Sequence, residues 1–237
     1  MFVLNGWMQA TPQVMRLAAA ALAAGALIPA AASAKISELG AVPDPVRGSC
    51  PGIASLPQSC QALTKTTAYQ AKVGPDRDLY RAPADGRIVA FTLALGAPTK
   101  SQVAYFQKNY GGGAQAALVV LESGRKLGRT VVAKGPVLGL GRYLGQTVQF
   151  PIIDTLAIKK GQYVGLTVPT WLPVMQLGLG ADTSWRSSRA SSSCLDVTMQ
   201  TALLGSRTNA LFRCLYKGVR LTYSATFISN ATATPAK

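Results

Sequence analysis

Bulky apolar residues recur at every second position through several short segments of this chain. In Ile88 to Leu95, Val89, Phe91, Leu93 and Leu95 alternate with Ala90, Thr92 and Ala94, a period that turns the large side chains of a strand toward a core. Val164, Leu166 and Val168 alternate with Gly165 and Thr167, and Val148 and Phe150 flank Gln149. The longest alternation runs from Val219 to Phe227, with Arg220, Thr222, Ser224 and Thr226 on the other face. It predicts a strand with one buried and one wet side. Ala117 to Leu121 is apolar throughout, as a strand buried on both faces would be.

Glycine pairs punctuate these runs at Asp85-Gly86, Ser123-Gly124, Lys134-Gly135-Pro136, Lys160-Gly161 and Lys217-Gly218. Each is read as a reversal using positive φ. Ser123-Gly124-Arg125-Lys126 and Lys217-Gly218 predict hairpins. No convincing helix emerges. Ser101 to Tyr110 predicts at most a short helical turn with Val103, Tyr105 and Phe106 inward, stopped by Gly111-Gly112-Gly113. Many short strands without helical layers predict an all-β fold, an antiparallel two-sheet β-sandwich of jelly-roll-like form over residues 65–229. Residues 35–64, with Pro43, Pro45, Pro51 and Pro57, read as an irregular arm. Pro169 to Ser193 reads as a long loop excursion, and 230–237 as a flexible tail.

The N-terminus adds a compartment. Leu17 to Ala34 is apolar and alanine-rich, follows Arg16, and ends Ala32-Ser33-Ala34. This predicts a signal peptide over 1–34, cleaved after Ala34, and a secreted product. Met1 to Val14 carries no charge, so a leader starting at Met15 has the more usual form. The alternative, an uncleaved anchor, would make a short span interrupted by Pro29. It would be the chain's sole membrane contact. Cys50, Cys60, Cys194 and Cys214 lack zinc-type spacing, and the chain has no histidine, so disulfides are expected in an exported protein. Cys50–Cys60 and Cys194–Cys214 are the favoured pairs because each closes a local loop rich in Ser, Pro or Gly; two other pairings stay open.

Charge then narrows the partners. Removing a 34-residue leader from 237 leaves 203 residues with 23 basic and 9 acidic side chains, a balance of +14. Such a surface favours an anionic polymer of the envelope or its surroundings. The alternative is a solvated basic surface on a domain that packs against another exported protein. The basic residues are scattered in ones and twos, which argues against nucleic acid.

The absence of histidine excludes Ser-His-Asp and Cys-His centres. No cofactor motif is present: Gly139-Leu140-Gly141-Arg142-Tyr143-Leu144-Gly145 has the wrong spacing for a phosphate loop and no helix after it. No metal is expected, although Asp76 and Asp78 admit two readings. They are either hard ligands for Ca²⁺ or an Asx-type turn after Gly74-Pro75 that pairs with Arg77 or Arg81. A hydrolase would need two acids to converge within about 5–10 Å, with Asp76, Asp78, Asp154 and Asp182 as candidates.

The residues best suited to binding are aromatic. Trp185 lies in Ser184-Trp185-Arg186-Ser187-Ser188-Arg189, and Trp171 in Pro169-Thr170-Trp171-Leu172-Pro173. An exposed indole offers a platform for a sugar face, and Arg186 or Arg189 could grip a carboxylate or phosphate. Tyr105 and Tyr110 extend this set. The competing reading makes each indole a plug that closes one end of the sandwich.

Three stretches carry a resemblance: Asp85-Gly86-Arg87-Ile88-Val89-Ala90-Phe91, Leu118-Val119-Val120-Leu121, and Leu156 through Gly161-Gln162-Tyr163-Val164-Gly165-Leu166. Over residues 80–170 the chain resembles a group of exported, uncharacterised β-sandwich proteins of high-GC bacteria. Their "dGxIxxF" strand is followed by an "hxVkaGDhhGL" turn and strand. Gln162 stands where that pattern often has an acid, so no carboxylate role carries over. The resemblance implies a sandwich fold and export. It implies no activity.

Overall fold

The computed structural model describes residues 33–41, 48–52, 59–189, 194–195 and 202–231. The leader up to residue 32, parts of the arm (42–47 and 53–58) and the tail from 232 lie outside the described residues. Along the chain come β1 (Ile36–Leu39), β2 (Leu63–Lys72), β3 (Gly86–Ala94) and α1 (Lys100–Tyr110). Next are β4 (Gln115–Ser123), β5 (Gly128–Lys134), β6 (Leu138–Gly139), β7 (Thr147–Ile158) and β8 (Tyr163–Leu172). Short strands follow: β9 (Met175–Gln176), β10 (Ser184–Ser187), β11 (Asn209–Leu211), β12 (Cys214–Lys217), β13 (Arg220–Leu221) and the longer β14 (Tyr223–Ser229).

These strands form an antiparallel two-sheet sandwich. One sheet has the order β1-β14-β3-β7; the larger has the order β11-β5-β4-β8-β2-β10-β12, with β6 beside β4. From β2 to β3 to β4, and again from β5 to β7 to β8, the chain crosses between sheets, as in a jelly roll. The edge strands β11 and β12 of the large sheet are joined only by Phe212 and Arg213, so this sheet curls into a half-barrel. Alternation then gives it two dry faces. Leu118, Val120, Val164 and Leu166 join the main core between the sheets. Val119, Leu121, Tyr69 and Phe212 fill the hollow of the curl. The unbroken apolar run of β4 therefore serves both sides, as its sequence predicts.

The structure corrects several expectations. A bulge in β3 between Ile88 and Ala90 resets the alternation. Ile88, Phe91 and Leu93 are fully buried, while Val89 is half-buried. The 35–64 arm contains β1, which pairs with β14. The expected 169–193 loop excursion holds the end of β8, then β9 and β10. Lys217-Gly218 joins no hairpin, because β12 pairs with β10 and β13 pairs with β9. The Ser123–Lys126 turn does make one, between β4 and β5. Of the five turn glycines only Gly161 and Gly218 have positive φ, and in the β4–β5 turn that geometry falls on Lys126 and Leu127. Gly86 is needed for space: a Cβ there would lie 2.2 Å from the Ile228 carbonyl oxygen. The alternation from Val219 breaks at Thr222, and Arg220, Thr222 and Ser224 are buried instead of wet.

The largest correction is α1, a helix of 11 residues. Its N-terminus is closed by a capping box in which the Thr99 side chain accepts from the Gln102 amide and Gln102 accepts from the Thr99 amide. Phe106 is its buried residue and Val103 is partly buried, whereas Tyr105 is exposed rather than inward. Both expected disulfides form, Cys50–Cys60 and Cys194–Cys214. They fit an oxidising compartment. Among the described residues no helix is long and apolar enough to cross a membrane.

Candidate functional site

Tertiary packing brings α1 opposite the β10–β12 edge, and a cleft of about 1210 Å³ opens between them. Its helical wall presents Tyr105, Phe106 and Tyr110. Trp171, the last-but-one residue of β8, anchors this wall. Its ring stacks on Phe106 at 5.0 Å between centroids, and its Nε1 donates to the Gly112 carbonyl at 3.2 Å. Thr170 Oγ1 donates to the Gly113 carbonyl at 2.7 Å, so the glycines that end α1 are held as well. Trp171 is 1% exposed. It is the core plug of the two readings, and it positions the cleft without lining it.

The opposite wall comes from cross-strand pairing. Trp185 and Tyr216 are direct partners in the β10–β12 ladder, and their rings stack at 4.1 Å. Trp185 lines the cleft but is only 1% exposed, so it is not a free platform. The exposed ring at the cleft is Tyr105, at 57%. Arg189 follows β10 and is also buried. Its Nη1 donates to Tyr216 Oη at 3.0 Å, and its Nη2 donates to Thr64 O at 2.8 Å and Thr64 Oγ1 at 3.0 Å. Tyr216 in turn donates to the Cys194 carbonyl. Cys60 and Cys194 both border the cleft, so each disulfide pins one side of it.

Four of the six binding residues expected from sequence thus meet here: Trp185, Arg189, Tyr105 and Tyr110. Arg186 does not. Alternation turns it to the other face of β10, where its Nη1 donates to the Phe212 and Arg213 carbonyls and ties the two edges of the half-barrel. Tyr216 and Thr64 were missed. Tyr216 stands two residues after Cys214, hence on the same strand face, but its pairing with Trp185 is a long-range event invisible to local pattern. For Thr64 the sequence carries no signal.

The described lining of the cleft contains no carboxylate. Asp76 and Asp78 form the Asx-type turn: Asp76 Oδ1 accepts from the Asp78 amide at 2.7 Å, and Asp78 pairs with Arg81 at 3.4 Å. Asp85 accepts from the Lys160 amide, and Glu38 accepts from Ser224 and Thr226. Among the described residues no three metal-ligating side chains gather. Burial, and then the neighbouring Tyr105 phenol, push the Tyr110 hydroxyl above its ordinary pKa, while the Arg189 guanidinium pulls it back. The field of Arg189 therefore reaches the helical wall.

The chain is an all-β, disulfide-linked sandwich with an aromatic cleft at its edge. No family model, no curated protein and no solved structure matches it.

Proposed function

We propose that this is an exported, non-catalytic binding domain that holds an anionic polymer of the cell envelope or its surroundings. One observation carries the reading: a cleft walled by aromatic rings, rimmed by an exposed tyrosine and lined by no described carboxylate. Its volume, about 1210 Å³, exceeds the usual range of roughly 300–1,000 Å³ for small-molecule pockets, which suits a chain of ring units. The charge of +14 left after loss of the leader supports attraction of an acidic polymer. Among the described residues only the exposed Asp78–Arg81 pair neutralises any of that charge by direct contact. Export rests on the apolar leader, and cleavage after Ala34 would leave β1 intact from Ile36.

The rival reading, docking against another exported protein, would be favoured by a large exposed apolar patch. The exposed Ile36 and Ile153 lie on β1 and β7, opposite edges of the smaller sheet, whereas exposed Leu211 pairs with Gly128, next to exposed Leu127. The test is a pull-down on purified cell wall and on acidic polysaccharide. Retention at low salt, its weakening at high salt, and a five- to ten-fold weakening by Tyr105→Ala (about 1 kcal/mol) are expected. Absence of retention at low salt would refute the proposal.

A further inference from the structure

Arg189 is a buried cation with neutral company. It is 5% exposed; among the described residues its Nη atoms donate only to Tyr216 and Thr64, its Nε has no acceptor, and the guanidinium lies 5.7 Å from the Tyr216 ring centre. Arginine does not shed its charge at such a site. A guanidinium taken out of water without a counter-ion is costly, and neutral acceptors offset part of that cost. The nearby Trp185, 1% exposed, has an Nε1 that also lacks an acceptor. Both residues line the cleft, together with Tyr105 and Tyr110 of α1. Among the described residues the walls thus hold two donors without acceptors and one cation without a counter-ion, and no described side chain in the lining can supply the negative charge.

We infer that the cleft recognises an acid group, a carboxylate or sulfate ester carried on a sugar-like ring, with the anion turned toward Arg189 and Trp185 and the ring against Tyr105 and Tyr110. This rests on the reading that the cleft holds the polymer, and it adds which chemical group is read. A neutral ring of the same shape would leave the guanidinium unpaired. Sites built around a polar partner reject analogues that lack it.

Buried Arg220 also has an Nε without an acceptor among the described residues, but it lies outside the cleft lining. Its Nη2 donates to the Gly40 and Ala41 carbonyls at 3.4 and 2.9 Å beneath Tyr80. It clamps β1 to the core.

The experiment is calorimetric titration of the oxidised protein with three probes. These are a galacturonic-acid oligomer, the same oligomer after reduction of its carboxyls, and a sulfated neutral oligomer. At least one acidic probe should bind about ten-fold more tightly than the neutral one, and the preference should persist at high salt because the cation is shielded. Trp185→Phe keeps a ring against Tyr216 but removes the indole donor, so it should reduce the acidic affinity more than the neutral one. Equal binding of acidic and neutral probes would overturn the inference while leaving the cleft reading intact. So would a preference that salt abolishes and Trp185→Phe does not alter, since surface charge alone behaves that way. No binding of any probe would defeat both.

Discussion

Tyr80 and Tyr223 show what burial does to a single side chain in this core. Both are 1% exposed, with rings 4.7 Å apart. Tyr80 donates to the Leu221 and Tyr223 carbonyls, and Tyr223 donates to the Val164 carbonyl. Burial pushes the Tyr80 hydroxyl up to about 12, against a smaller opposing pull from Arg220. Tyr223 is raised well above its ordinary value, again first by burial. The folded state therefore keeps protons that the unfolded chain releases near pH 10. The contribution of these two tyrosines to stability should be complete below pH 10 and be lost through about pH 12, with Tyr80 alone accounting for about 3 kcal/mol. Denaturant midpoints across that range, with phenolate absorbance followed in parallel, check this. Titration of every tyrosine near pH 10 in a still-folded protein would contradict it. At the same scale, residue type announced which side chains gather at the cleft better than it announced how each lies. Trp185, Arg189, Tyr105 and Tyr110 could be named from sequence because large rings and arginines among small polar residues are conspicuous. Whether each lies open or buried was not legible, since strand pairing decides it.

At the scale of elements, strands were read more faithfully than helix or loops. Two-residue alternation is a direct imprint of a sheet face, so β8 and the core of β3 were recognisable. The β3 bulge was not, because it depends on its neighbours β7 and β14. Helix α1 was understated because its own pattern is weakly amphipathic. It stands through the Thr99–Gln102 capping box, Gln102 Nε2 donating to the Pro51 carbonyl at 2.8 Å, and the Phe106–Trp171 stack. Most of a short helix's stability comes from such tertiary contacts. Phe106→Ala should then cost about 3–5 kcal/mol and release the helical wall in particular. Hydrogen exchange at the α1 amides should quicken more than in β4 or β8, and affinity for the acidic polymer should fall. Uniform exchange changes across the sandwich would show that Phe106 is only another core residue.

Across the whole molecule, the two disulfides and the cleft form one mechanical arrangement. Cys50–Cys60 joins the chain before β2 to the end of the helical wall, where Gln102 meets Pro51. Cys194–Cys214 ties Cys194 to β12, beside the Trp185–Tyr216 stack. The bridges span 10 and 20 residues, which in the loop-entropy picture gives each about 3 kcal/mol. A purely global staple and a staple that shapes the site make different predictions. The joint substitution Cys194→Ser with Cys214→Ser should lower the denaturation midpoint. Because Tyr216 donates to the Cys194 carbonyl and receives from Arg189, it should also loosen the wall that faces the ligand. Ligand that binds only the folded state raises stability by an amount set by its affinity, so thermal unfolding with and without the acidic oligomer separates the two effects. A variant that is still folded at 25 °C yet shows little ligand-induced rise in Tm would place the bridge in the binding apparatus. A lower Tm with the full ligand-induced rise would confine its role to the fold.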